Sequence, residues 1–177
     1  MPFQALFLYF PVFIVFNRNG GQMNEIFSLF NDKWALLSAG TKDKHNSMTI
    51  SWGGMGTLWN KPVVTVYVRP NRHTYSFMNE NDYFTVSFYP DEYRNALTLM
   101  GSKSGRDIDK DAASGLTVKD LGKAVSYEEA EVTLLCKKIY FQDMNKENML
   151  LDSAKDFYGD EAPHRIFIGE VVETVRR

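Results

Sequence analysis

The sequence predicts a mainly β protein, a closed antiparallel β-barrel with short helices between its strands. Three observations predict it. Apolar segments that alternate or are rich in β-branched residues recur along the chain, and Val63-Val64-Thr65-Val66-Tyr67-Val68 is the clearest of them. The helical stretches are short and do not alternate regularly with these strands, which argues against a doubly wound parallel sheet. About six strands with Greek-key connections then suggest closure into an antiparallel barrel. The 177 residues suit one domain, and no repeat, low-complexity tract or linker divides them.

The elements follow in order. The stretch from Phe3 to Phe16 is apolar, broken by Gln4 and Pro11. No Lys or Arg precedes it and no small-residue cleavage site follows, so it does not read as a signal peptide. It is shorter than the roughly 20 residues a membrane span needs. Gly20-Gly21-Gln22 stands immediately before Met23. Two glycine codons can be written GGAGG, a bacterial ribosome-binding sequence. Residues 1–22 are therefore expected to be an upstream leader, and residues 23–177 the domain.

Residues 24–32 read as a short lead-in. Trp34-Ala35-Leu36-Leu37-Ser38-Ala39 is a strand ended by Gly40, and residues 41–46 make a polar turn. Ser47-Met48-Thr49-Ile50-Ser51-Trp52 alternates as a strand does, and Gly53-Gly54-Met55-Gly56 is expected to break regular structure. Pro62 opens the β-branched strand. Thr74 is expected to cap a short helix reaching about Glu80. Tyr83-Phe84-Thr85-Val86-Ser87-Phe88 is the next strand, and Asp91 starts a helix that Gly101 stops near Met100. Residues 102–114 read as a polar loop with at most one helical turn. Residues 130–141 and 165–172 are the last strands.

Net charge of −2 and the absence of a basic cluster argue against a nucleic-acid partner. Cys136 is the sole cysteine, so no internal disulfide supports the fold and a reducing cytoplasm is the expected setting. It sits in an apolar strand, as a buried small hydrophobe does. His45, His73 and His164 have no metal-ligand spacing, and no metal is expected. No Gly-x-Gly-x-x-Gly, P-loop or Gly-x-Ser-x-Gly motif is present; Gly101-Ser102-Lys103-Ser104-Gly105 lacks the Gly-Lys-Ser/Thr order of a P-loop.

Three segments remain that bear on chemistry. Asn46, Ser47, Met48, Thr49, Ile50, Ser51 and Trp52 put small polar groups along one strand, suited to the edge of a polar ring system. Arg69-Pro70-Asn71-Arg72-His73-Thr74 puts two guanidinium forks and a hydroxyl where a strand meets a helix start, a place that suits phosphate oxygens. Ser102, Lys103, Ser104, Gly105 and Lys110 belong to a second polar, basic loop. Taken singly, these read as a half-buried strand, surface ion pairs and a solvated connection. The order of all three is what is specific.

In that order, Asn46-Ser47-Met48-Thr49-Ile50-Ser51-Trp52-Gly53-Gly54, Leu58-Trp59-Asn60-Lys61-Pro62 and Arg69-Pro70-Asn71-Arg72-His73-Thr74 resemble the flavin reductase-like, or flavoredoxin-like, family. Ser104-Gly105-Arg106-Asp107-Ile108-Asp109-Lys110 with Gly115-Leu116-Thr117, and His164-Arg165-Ile166-Phe167-Ile168-Gly169-Glu170-Val171, extend the resemblance over most of the chain. The resemblance implies a homodimeric split β-barrel with FMN near the subunit interface. It implies that residues 46–52 line the isoalloxazine ring, and that Arg69, Arg72 and Thr74 lie near the phosphate. Residues 102–110 would close over the flavin, with Lys103 or Lys110 adding positive charge. Trp52, Trp59, Tyr89 and Phe167 are candidates to cover the ring from a second subunit. The implied activity is two-electron redox chemistry carried by the flavin, with no catalytic side chain required. The protein is then an NAD(P)H-dependent reductase of flavin or another small acceptor, or a flavoredoxin-type electron-transfer protein served by a redox partner.

Overall fold

The computed structural model describes residues 22–177, with side chains from Phe27 onward. Residues 1–21 lie outside the described residues, and the leader expectation falls on them. The lead-in is a helix, α1 (Gln22–Asn31), followed by strands β1 (Ala35–Gly40), β2 (His45–Ile50), β3 (Gly53–Leu58) and β4 (Lys61–Val68). Helix α2 (His73–Glu80) leads to β5 (Tyr83–Phe88), then a short 3-10 turn and α3 (Arg94–Ser102). The one-turn helix α4 (Lys110–Ser114) precedes the small hairpin β6 (Val118–Asp120) and β7 (Val125–Tyr127). The long strands β8 (Val132–Asp143) and β9 (Arg165–Arg176) flank helix α5 (Asp152–Tyr158).

Seven strands form one antiparallel sheet in the order β2-β1-β5-β8-β9-β4-β3. The two ends of that order, β2 and β3, are adjacent in the chain. Ala35, Leu37 and Ala39 of β1, Ile50 of β2, Val64, Val66 and Val68 of β4, and Phe84 and Val86 of β5 share one buried cluster with Cys136 and Phe167. A flat sheet could not bring β2 and β4 into one core, so the sheet curls into a barrel. Its seam lies between β2 and β3, which pair with β1 and β4 respectively. The alternation of these strands decides the inward face, since every second residue points the same way. A second cluster, including Leu36, Leu97, Met100 and Tyr127, seals α3 and the β6–β7 hairpin against the outside of β1.

Several expectations need correction. Gly53-Gly54-Met55-Gly56 does not interrupt the sheet but forms β3, with Gly53 opposite Val66 and Leu58 opposite Lys61. Trp59 and Asn60 both have positive φ, near 50° and 58°, which is the two-residue hairpin turn whose twist matches its strands. Gly53 is close-packed: a Cβ there would stand 2.6 Å from the ring of Phe30. Thr74 does not cap α2. The cap position is Arg72, which makes no side-chain capping bond, and Thr74 lies buried inside the first turn. Helix α3 starts at Arg94, after the 3-10 turn Asp91–Tyr93, and runs through Gly101 to Ser102. The short β6–β7 hairpin and α5 carry no strong periodicity and were not expected.

Cys136 is fully buried in β8, and burial pushes its thiol up to about 12. Its inert, apolar setting agrees with a packing role. Beside it, Gly169 faces the interior, where a Cβ would fall 2.5 Å from Phe84 and 2.7 Å from Cys136. Gly169→Ala is expected to destabilise the fold by about 1–3 kcal/mol, the usual cost of overpacking a filled core. A urea unfolding midpoint equal to the parent's would show that Phe84 moves aside freely.

Candidate active site

Two clefts meet beside β2. The first is lined by Met48, Thr49, Ile50, Ser51 and Trp52 together with Tyr67, Arg69, Arg72, Phe157 and His164. Strand β2 ends the sheet, so one side of its backbone is free of a neighbouring strand. The Ser47 carbonyl points to that side, where it accepts from Lys110 Nζ at 2.6 Å. By the alternation of an antiparallel strand, the N–H and C=O of Thr49 face the same open edge. These are directional groups suited to the polar rim of a planar heterocycle. Thr49 Oγ1 itself donates to the Leu97 carbonyl at 2.5 Å, which ties β2 to α3.

Aromatic groups frame this cleft. Trp52 is 47% exposed and lies 5.3 Å from Phe157 and 5.5 Å from His164 between ring centroids. His164 is buried, and its Nδ1 stands 2.7 Å from the Tyr158 hydroxyl. Burial, then Arg69 and Arg72, push its pKa down to about 4, so the imidazole is neutral at physiological pH. Arg69 pairs with Glu161 at 2.7 Å and lies over the rings of Phe157 and Tyr158, while its Nε is buried without a hydrogen-bond partner. Helix α5 has only seven residues. The contacts of Phe157 and Tyr158 with this cluster explain its place, since so short a helix has little stability alone.

The second cleft shares Met48 and Arg72 with the first and adds Asn46, Thr74, Ser102, Lys103, Ser104, Gly105, Arg106 and Lys110. Arg72, Lys103, Arg106 and Lys110 bring positive charge to its lining, which contains no carboxylate. His73, also in the lining, has its pKa lowered by burial and then by Arg106, Lys110 and Lys44. The uncapped start of α2 opens here as well. Unpaired N–H groups at a helix start and guanidinium forks both favour an anion. Among the described residues, Arg72 has no side-chain ion pair or hydrogen bond, unlike Arg69.

Lys110 is the most constrained of the cations. It is buried, and its ammonium donates to the carbonyls of Ser47 and Met100. Burial lowers its pKa to about 8, with Arg72 adding to the shift and Asp111 opposing it. Asn46 and Ser47 stand apart from the first cleft. Asn46 Nδ2 donates to Thr74 Oγ1 at 2.7 Å, and Gly105 packs so closely on Asn46 that a Cβ would fall 2.1 Å from its Oδ1. Ser47 is buried within 2.9 Å of the Tyr127 hydroxyl.

Thus residues 48–52 gather at the first cleft, and Asn46, Thr74, Ser102–Gly105 and Lys110 at the second, with Arg72 between them. Ser47 lies behind both. Of the aromatic groups considered as cover, Tyr89 is 5% exposed and Phe167 is fully buried, so both are core side chains. Trp52 and Trp59 are exposed. Sequence reasoning missed Tyr67, Phe157 and the Tyr158–His164 pair, which come from β4, from α5 and from the loop before β9. His164 carries a signal, since it begins the segment His164-Arg165-Ile166-Phe167 of the family resemblance. Among the described residues, no group of three or more His, Cys, Asp or Glu side chains is placed to hold a metal. Among them too, no helix is long and apolar enough to cross a membrane.

Comparison with known proteins agrees with this fold. The profile of the flavin reductase like domain matches residues 27–177. No curated protein matches the chain. Among solved structures, flavoredoxin from Methanosarcina acetivorans aligns at TM-score 0.65 and 22% identity, over 82% of this chain and 68% of its own. The FMN-binding protein from Thermus thermophilus with bound p-hydroxybenzaldehyde aligns at 0.64 and 20% identity, over 81% and 71%. Flavoredoxin of Desulfovibrio vulgaris (Miyazaki F) aligns at 0.62 and 22% identity, over 81% and 69%. With the family profile covering residues 27–177 and the barrel shared with these structures, the chain belongs to the flavin reductase-like domain family and has its split-barrel fold.

Proposed function

We propose that this protein is an FMN-binding oxidoreductase, an NAD(P)H-dependent reductase of flavin or another small acceptor. The observation that carries this reading is the pairing of the two clefts. One offers an open strand edge and aromatic walls, the other is cationic without a carboxylate, and they join at Met48 and Arg72. A flat polar ring joined to a phosphate matches that division. The residues present fit the group: Arg72 is uncommitted, Arg69 Nε is buried without a partner, and Gly105 leaves no side chain between the basic loop and β2.

When bound, the flavin would supply the two-electron chemistry at its N5 atom. The chain's part is to bind and orient. The Thr49 backbone and the Ser51 region hold the ring's polar rim, and Trp52 and Phe157 shield its face from water. Arg72 and Lys103 hold the phosphate, with α2's first turn beside them. Neutral His164, fixed by Tyr158, places an uncharged ring nitrogen at the wall without adding to the cluster's positive charge. The exposed Trp52 and Phe157 at the cleft mouth also favour a second reading, a flavoredoxin-type electron-transfer protein that receives electrons from a redox partner. In either case we place the protein in the cytoplasm as a homodimer, whose second subunit would cover Trp52 and Trp59.

Titration with FMN is expected to shift the flavin's visible spectrum and quench its fluorescence at micromolar protein. No spectral change would overturn the flavin reading. Steady-state oxidation of NADH and NADPH, with and without added FMN, then separates reductase from electron carrier. Turnover without a protein partner supports the reductase.

A further inference from the structure

Behind the cationic cleft lies a chain of polar side chains that the flavin reading does not use. Asp111, in α4, receives two hydrogen-bonding partners from different parts of the fold. Its Oδ2 stands 3.0 Å from His45 Nε2 on β2, and its Oδ1 accepts from the Tyr127 hydroxyl of β7 at 2.7 Å. Tyr127 has one hydroxyl proton, and the ionised carboxylate can only accept. Ser47 Oγ, 2.9 Å from the same hydroxyl, is a second acceptor within reach of that proton, and Ser47 Oγ itself donates to Ser38 Oγ at 2.7 Å. The other His45 nitrogen is 3.1 Å from the Thr41 carbonyl. Asp109 caps the same turn by accepting from the backbone N–H groups of Asp111 and Ala112 at 3.1 Å.

Lys110 is the neighbour of Asp111 in the chain and forms part of the cationic cleft. We infer that Asp111 is a positioning residue for that cleft: by gripping His45 and Tyr127 together it holds α4, and with it Lys110 and the basic loop, against β2. The inference rests on the phosphate reading of the second cleft. Its grip depends on the charge of His45, because a protonated imidazole makes a charge-assisted bond where a neutral one makes an ordinary bond. The charged and titratable groups around His45 are Lys42, Asp43 and Lys44 in the turn that precedes it, Asp109, Lys110 and Asp111 on the loop and α4, and, beyond Asp111, Tyr127 on β7. The bond to Asp111 raises the His45 pKa, with burial opposing it. A raised value means the added stability is complete below the ordinary 6.5 and is lost as pH rises through the folded value.

The test uses the full-length protein and the variants Asp111→Asn and His45→Gln. Dissociation constants for FMN and riboflavin are measured between pH 5.5 and 8.5, and hydrogen exchange is followed over residues 102–114. Asp111→Asn should weaken FMN about tenfold and riboflavin less than about twofold. In the parent, protection of residues 102–114 should fall as pH rises above 6.5, and His45→Gln should remove that step. The ratio of parent to His45→Gln affinities at each pH cancels the titration of the FMN phosphate itself. Equal losses for both ligands, or an unchanged exchange profile in His45→Gln, would overturn the positioning role. If the parent binds no FMN, the flavin reading fails, while the exchange profile still decides whether the pair orders the loop.

Discussion

Arg72→Ala is expected to weaken FMN binding by about ten- to a hundred-fold while leaving riboflavin binding nearly unchanged. Charge-assisted hydrogen bonds are worth roughly 1.5–3 kcal/mol each, which sets that range. Arg72 is the arginine to test first because it belongs to both clefts and has no side-chain partner among the described residues. Arg69→Ala is a weaker test, since it also removes the pair with Glu161 and the cover over Phe157 and Tyr158. Fluorescence titration with the two ligands makes the comparison. A matching loss for riboflavin would mean that Arg72 shapes the ring cleft and does not read the phosphate.

Lys110→Met is expected to act on both binding and stability. Methionine nearly matches the length of lysine but has no donor, so the Ser47 and Met100 carbonyls lose their ammonium. Leaving a buried acceptor unpaired costs about 1–3 kcal/mol. The desolvation that depresses the lysine pKa is relieved at the same time, and a net loss of about 2 kcal/mol is the expected result. FMN affinity should fall at least about tenfold, because the basic loop loses both a charge and its tether.

The pH dependence of this residue has a defined sign. Lys110 titrates near 8 in the free protein, and a bound phosphate dianion would push that value back up. Below pH 8 the ammonium is present with or without ligand, so its titration does not alter affinity. Above pH 8 binding must draw in a proton, and FMN affinity should fall by at most about tenfold per pH unit. Stability moves the other way. Between about 8 and the ordinary 10.5 the unfolded chain holds this proton more tightly, so the cost of burying the ammonium lifts as pH rises. Calorimetric titration of parent and Lys110→Met at several alkaline pH values, expressed as the FMN to riboflavin ratio, checks the slope. The same slope in both proteins would assign it to another group.

Much of the barrel was legible in the residues themselves. Val63–Val68 and Tyr83–Phe88 lie in β4 and β5 because β-branched and aromatic side chains at every second position suit a pleated, half-buried surface. Cys136 lies in the core as a free cysteine in an apolar strand is expected to, as a small hydrophobe. The two arginines at the join of a strand and a helix, and the basic loop after α3, are candidates for an anion by their chemistry; the fold sets Arg69 in the first cleft against Glu161 and Arg72 where the two clefts join.

What only the tertiary structure decided concerns elements whose stability comes from partners distant in sequence. Strand β3 is half glycine, and its ladder with β4, closed by the Trp59-Asn60 turn, supplies what side-chain propensity does not. Helix α5 is held through Phe157 and Tyr158 against Trp52, His164 and Arg69, residues that no local pattern connects. The split of residues 46–52 between two clefts and the interior follows from strand alternation together with the neighbours on each side: Thr74 takes Asn46, Tyr127 and Ser38 take Ser47, and the open edge takes the rest. Local sequence determines where a strand can form and which chemistry it carries. Long-range pairing and packing determine which side of that strand meets a ligand, because each strand has two faces and only its neighbours occupy one of them.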